Sequence, residues 1–236
     1  MRKYLVIIPA VIFCISGCSK VEITERNVPI LNLETLTIDD RFDVILTQGS
    51  TEELKISGHP SLVKKVEVRQ EGTEVHISSK SSSAWLRPGH NRVTLHITVK
   101  NLKRINVNET CHVSCSNELT GPEIGMVMTG KYAEADLNLN CGSFYFWNNF
   151  PCGGKVTLAG QTQQLKVWNY ALMQIEASAL TTNECLAENN SKGSIRSKVT
   201  QSLIYKIDGE GDIIIKGSPS TVQSLGDEGV GELIFE

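Results

Sequence analysis

Three groups of side chains in this sequence are spaced so that they could do chemistry. Ser61 and Lys64 form a Ser-x-x-Lys element, which on a helical turn brings an amine to a serine hydroxyl. The Ser-Asp-Asn and Lys-Thr-Gly elements that accompany it in acyl-transfer enzymes are missing, and no Gly-x-Ser-x-Gly elbow or phosphate-cradling glycine loop occurs. Asp208, Glu210 and Asp212 share a glycine turn and offer the hard oxygen ligands that calcium prefers. Comparable turns elsewhere carry no matching acids, so a solvated turn is the expectation. The histidines His59, His76, His90, His96 and His112 show no zincin spacing, and no Cys-x-x-Cys pair is present, so neither a metal nor a cofactor is expected. The third group is aromatic: Trp147 and Trp168, each followed by asparagine, with Tyr145 and Lys166 two residues before them. Indole faces stack on sugar rings and on apolar protein surfaces, which is binding rather than bond-breaking chemistry.

A different chemistry is written at the amino terminus. Arg2 and Lys3 precede an apolar run from Leu5 to Phe13, ending in Ile15-Ser16-Gly17-Cys18. A basic start, a short apolar core and small residues before a cut make a secretory signal, and the run is too short to span a bilayer of about 30 Å. The last four residues resemble a bacterial lipobox. That resemblance implies acylation of the Cys18 thiol after removal of residues 1–17, with residues 18–36 as a lipidated linker and 37–236 as the folded domain. Several acyl chains, at about 0.8 kcal/mol per buried methylene, make a stable anchor. Ser19 in place of an aspartate argues against retention at the inner membrane. Lys20 and Glu22 partly resemble a surface-export signal, so the protein is expected at the outer membrane, facing the periplasm or the cell surface.

Charge and composition narrow the partners. Cleavage removes Arg2 and Lys3, leaving 23 − 2 = 21 basic against 26 acidic residues. No basic run or arginine stripe appears, so a nucleic-acid partner has no electrostatic support. The membrane is expected to be met through the lipid on Cys18 alone.

The elements that must position these groups are strands. Val44-Ile45-Leu46, Leu54-Lys55-Ile56, Val75-His76-Ile77 and the run Val93 to Val99 are β-branched, partly alternating and bounded by Gly, Ser, Pro and Asn. Pro60 to Lys65 suggests one helical turn, and Ser78 to Asn91, rich in serine, reads as a loop. From about residue 102 the text repeats with a step of about twenty residues. Phe144-Tyr-Phe-Trp147-Asn-Asn, Leu165-Lys-Val-Trp168-Asn-Tyr, Cys185-Leu-Ala-Glu188-Asn-Asn and Leu203-Ile-Tyr-Lys206-Ile-Asp align with apolar residues at the first and third positions. Such short repeats suit a coil of strands stacked about 4.8 Å apart. A β-sandwich of irregular hairpins is the alternative. The fold class expected is all-β, a single-stranded right-handed parallel β-helix with a small strand-rich N-terminal head.

The alignment sets further expectations. Phe144, Leu165, Cys185 and Leu203 should form one inward ladder, and Phe146, Val167, Ala187 and Tyr205 the next. Of seven cysteines, five remain once Cys14 leaves with the signal and Cys18 carries lipid. An odd number cannot all pair within one chain, and Cys115 with Cys141, near corresponding positions of successive repeats, is the candidate disulfide. The outward column runs Thr129, Trp147, Trp168, Glu188, Lys206. It offers a single acid, whereas a glycosidase needs two carboxyls about 5 to 10 Å apart.

Phe42-Asp43-Val44-Ile45-Leu46-Thr47-Gln48-Gly49, the segment Gly58 to Val68, Gly72 to Ile77 and Ile207-Asp-Gly-Glu-Gly-Asp-Ile213 with Gly217-Ser-Pro219 resemble the putative auto-transporter adhesin, head GIN domain family of Bacteroidetes-type exported proteins. The resemblance covers about Thr37 to Phe235 and implies the β-helix with a head; it supplies no catalytic residues. The function expected is a non-enzymatic binding or structural role in the cell envelope, with a glycan or a surface protein as partner. A polysaccharide-binding or polysaccharide-processing β-helix and an envelope-stress or protein-interaction module are the alternatives. The candidate patch is Tyr145, Trp147, Lys166 and Trp168, bordered by Asn148 and Asn169.

Overall fold

The computed structural model describes residues 22–80 and 92–236. Cys18, the signal residues and most of the serine-rich segment lie outside the described residues. Within them the protein is all-β: fifteen strands and one helical turn, joined by continuous pairing into one sheet system.

Alternation drives the pairing. In β7 (Val93–Val99) every second side chain is buried and the others are half-exposed, the period that strand geometry imposes. Full burial of each Val, Leu, Ile or Phe contributes about 1.5–3 kcal/mol, so a strand written this way has one stable face. The inward residues join a single core that runs the length of the molecule, from Ile30 and Leu33 to Ile213 and Ile215.

Among the described residues antiparallel pairing is confined to the N-terminal part. β1 (Thr24–Val28) pairs β4 (Glu53–Gly58), β4 pairs β7, and β5 (Val66–Glu71) pairs β6 (Glu74–Ser79). Between β4 and β5 lies the turn α1 (Pro60–Val63), with proline in its first turn and His59 as its N-cap. Two expectations are corrected here. Residues 18–36 are no linker throughout, because β1 and the buried Ile30 and Leu33 fall inside them. Ser78 and Ser79 belong to β6, Ser78 opposite Glu67, since β5 supplies hydrogen-bonding partners that the polar composition does not reveal.

Beyond this head every pairing is parallel. β2 (Thr35–Ile38) and β10 (Leu119–Met128) flank β8 (Arg104–Val107). β3 (Phe42–Gln48) lies between β7 and β9 (Cys111–Cys115). β10 and β9 both pair with β11 (Tyr132–Asn189). β12 (Ile195–Ile207) follows β11 and pairs in turn with β13 (Ile213–Lys216) and β14 (Thr221–Asp227), and β15 (Leu233–Phe235) closes on β13.

The partners lie about one repeat apart: Ile124 opposite Phe144, Cys185 opposite Leu203, Ile195 opposite Ile213 and Ile213 opposite Leu233. β11 turns back on itself. At about 3.3 Å per residue, Asn148 and Asn169 would be about 69 Å apart on a straight strand, yet their side chains are hydrogen-bonded at 2.9 Å. Phe144, Leu165, Cys185 and Leu203 are all buried, as are Phe146, Val167 and Ala187, with Tyr205 half-buried against the same core.

The glycines of Asp208 to Asp212 serve close approach. A Cβ on Gly209 would meet Ser191 O at 2.4 Å, one on Gly229 would meet Gly209 O at 2.3 Å, and one on Gly231 would meet Gly211 O at 2.3 Å. Successive turns therefore stack backbone on backbone, which only residues without a side chain permit.

Candidate functional site

Inward anchoring of Phe144, Phe146, Leu165 and Val167 turns the residues between them to the outer face. Parallel register sets these outward residues in two columns. Arg104 lies opposite Gly125 and Gly125 opposite Tyr145; beside them Asn106 lies opposite Val127 and Val127 opposite Trp147. The result is a shallow cavity of about 540 Å³ lined by Arg104, Val127, Tyr145, Trp147, Trp168 and Tyr170. Both tryptophans are half-buried: they are walls of a depression rather than core residues or freely projecting rings.

Three of the four expected patch residues, Tyr145, Trp147 and Trp168, are thus brought together. Lys166 is half-buried but outside the lining, and the basic residue of the cavity is Arg104. The border expected from Asn148 and Asn169 is corrected as well. Both are fully buried, because their amides bond along the stack: Asn148 Nδ2 donates to Asn169 Oδ1 at 2.9 Å, and Asn169 Nδ2 donates to Asn189 Oδ1 at 3.2 Å and to Met173 O at 2.9 Å. Asn148 Oδ1 accepts from the Tyr170 backbone N–H at 2.7 Å. The ladder fixes the backbone directly after each tryptophan.

Gly125 shapes the floor. A Cβ there would lie 1.8 Å from Tyr145 Cζ, so the tyrosine ring occupies the space above the glycine. The signal for it was available, since a glycine inside a strand marks close approach. Arg104 and Val127 reach the cavity through the parallel pairing of β8, β10 and β11, whereas Tyr170 ends the aligned unit Leu165-Lys-Val-Trp168-Asn-Tyr and was within reach of the sequence.

Glu188 closes the Trp168 side. Its Oε1 accepts from Trp168 Nε1 at 3.2 Å and its Oε2 from the Tyr170 hydroxyl at 2.6 Å. Burial, followed by the hydrogen bond to Glu188, pushes the Tyr170 hydroxyl up to about 12, so it stays protonated and donating at physiological pH. A carboxylate with both oxygens engaged orients the two rings.

The other candidates are engaged elsewhere. The Ser61 hydroxyl meets His59 Nδ1 at 2.7 Å rather than the Lys64 amine. Asp208 accepts from Lys206 at 2.6 Å, Glu210 pairs with Lys192 at 3.0 Å, and Asp212 accepts from the Glu232 backbone N–H at 2.9 Å. Among the described residues no cluster of three His, Cys, Asp or Glu side chains could hold a metal ion.

The candidate disulfide is not formed. Cys111, Cys115, Cys141, Cys152 and Cys185 are free thiols. Register separates the expected pair: Ser114 faces Asp136, Cys115 Sγ accepts from the Asn138 N–H at 3.0 Å, and Cys141 lies opposite Gly121. Desolvation pushes Cys111 and Cys185 up to about 12 and Cys152 to about 11, as expected of small apolar core residues.

Residues 32–219 match the family described as "Putative auto-transporter adhesin, head GIN domain", and the chain belongs to that family. Solved structures share its fold. A putative adhesin from Bacteroides fragilis NCTC 9343 superposes with a TM-score of 0.84 at 21% identity, covering 92% of this chain and 98% of that one. A putative adhesin from Parabacteroides distasonis ATCC 8503 gives a TM-score of 0.66 at 14% identity, covering 91% and 97%. A protein from the same organism named as a putative lipid binding protein gives 0.61 at 17%, covering 90% and 96%. No curated protein matches the chain.

Proposed function

We propose that this protein is a lipid-anchored, non-catalytic adhesin of the cell envelope that holds a saccharide chain against the Trp147–Trp168 face. The observation that carries the reading is the shared cavity of Tyr145, Trp147, Trp168 and Tyr170. Aromatic faces backed by a rigid stack bind the apolar faces of sugar rings without an induced change of shape. Membership of an adhesin family supports a binding role. Among the described residues the cavity wall carries no free acid, Glu188 beside it being held by Trp168 and Tyr170, which argues for binding over hydrolysis. A single-stranded right-handed β-helix is the architecture we assign to residues 104–235. It is supported by parallel pairing at a step of one repeat and by the return of β11 upon itself.

Glycan-array and whole-cell binding by the wild type and by a Trp147→Ala/Trp168→Ala double variant tests the function. Binding that falls at least tenfold in the double variant, with unchanged circular dichroism, is the expected result, each base-like stacking contact being worth about 1–3 kcal/mol in comparable aromatic sites. Equal binding by two folded proteins would remove the cavity from the functional surface.

A further inference from the structure

Among the described residues the cavity has one ionised side chain on its wall, Arg104, and that side chain has no counter-ion. Arg104 Nε donates to Asn106 Oδ1 at 2.8 Å; Asn106 Nδ2 donates to Thr37 Oγ1 at 3.0 Å, and Thr37 Oγ1 donates to Glu74 Oε1 at 3.0 Å. This chain of bonds fixes the inner edge of the guanidinium and leaves Nη1 and Nη2 without a partner among the described residues. Among the described residues no carboxylate lies within ion-pairing distance of Arg104, although its neighbour Lys103 is paired with Glu34 at 2.8 Å. Glu188, the acid nearest in the outward column of tryptophans, already accepts from Trp168 and Tyr170.

Resting on the saccharide reading above, we infer that the ligand is an acidic saccharide, with a ring carboxylate paired to Arg104 and the neighbouring sugar stacked on Trp147 and Trp168. A guanidinium with two free terminal nitrogens presents a planar fork that matches a carboxylate through two parallel hydrogen bonds. Arg104 lies two strand steps from the Trp147 strand through Gly125 and Tyr145, about 10 Å at the spacing of paired strands. Two linked sugar rings span that interval. Gly125 keeps the path between them low, because no side chain rises there except the flat Tyr145 ring. An aromatic cage for an organic cation is disfavoured: the cation already on the wall would repel it, and the one nearby carboxylate is spoken for.

The test titrates the full-length protein with polygalacturonate, alginate and hyaluronate, each beside its carboxyl-reduced neutral form, and with poly-glutamate. At least one acidic polymer should bind about tenfold more tightly than its reduced form, the size of a charge-assisted hydrogen bond. Arg104→Gln should erase that preference with the circular dichroism unchanged, and Arg104→Lys should keep part of it. Equal affinity for acidic and reduced forms, a preference that survives Arg104→Gln, or equal binding of poly-glutamate would overturn the acidic ligand and leave the aromatic platform standing. Binding to none of the saccharides, charged or neutral, would overturn both.

Discussion

The Asn148 amide donates to the Asn169 carboxamide oxygen at 2.9 Å in a part of the molecule that water does not reach. With Asn189 beyond it, this pair forms a ladder in which each amide answers the next and the last one donates to Gly193 O and Gly211 O. Turn residues have become interior fasteners for the strand ends that carry the tryptophans.

Replacing the middle member should be costly. Asn169→Ala removes the acceptor of Asn148 Nδ2 and the donor to Asn189 Oδ1, and each unsatisfied buried group costs about 1–3 kcal/mol. A loss of about 3 kcal/mol in urea unfolding is expected. Asn169→Asp should be worse at neutral pH, because a carboxylate would face Met173 O and Asn189 Oδ1, which now accept from the Asn169 amide. A loss below about 1 kcal/mol for both would show that the ladder is not a fastener.

Gly125 offers the opposite kind of test, one in which the site changes and the fold does not. A methyl group at this position displaces the end of the Tyr145 ring, a movable side chain on the outer face. Gly125→Ala should shift stability by less than about 1 kcal/mol and still weaken ligand binding as much as Tyr145→Ala does. Undiminished binding by Gly125→Ala would mean that the ring position is immaterial.

Alkaline pH should unfold the protein from within. Cys111 and Cys185, raised by burial from 9.0 to about 12, and Cys152, raised to about 11, keep their protons when folded but lose them near 9 when unfolded. The unfolded state therefore binds fewer protons between those limits, and stability falls as pH rises through them. It should be complete below about pH 8 and decline above about pH 9. Tyr170, raised from 10.0 to about 12, adds to the decline at the upper end. Urea midpoints measured across this range should show the fall, flatter in Cys185→Ala; a level profile would contradict it.

The anchor is tested at Cys18, outside the described residues. Cys18→Ser should abolish metabolic labelling by fatty acid and leave the precursor uncleaved. Labelling that persists would place the lipid elsewhere or nowhere.

Much of this fold could be read from the chain because alternation is a local signal. Phe144, Phe146, Leu165 and Val167 announced their buried face through their own neighbours, and so fixed the outward direction of Trp147 and Trp168. What could not be read depends on partners a repeat or more away. Asn148 and Asn169 have the composition of turn residues, and only the stacked asparagine on the next strand makes burying them favourable. Cys115 and Cys141 looked aligned until the pairing of Ser114 with Asp136 set the register. Arg104 became a site residue only when two parallel strands carried it to Tyr145, and the linker ran into the sheet because β4 was there to receive β1.

The division of each strand into an inward and an outward set has a consequence for divergence. Inward positions answer to size and apolarity, demands that many residues meet, while outward positions are relieved of any duty to the core. A lineage built on this plan can rewrite the surface facing its surroundings without repairing the scaffold. The Bacteroides fragilis structure keeps this fold at 21% identity. Kinship of shape in this family therefore carries little information about ligand, and each member's specificity has to be sought in its own outward columns.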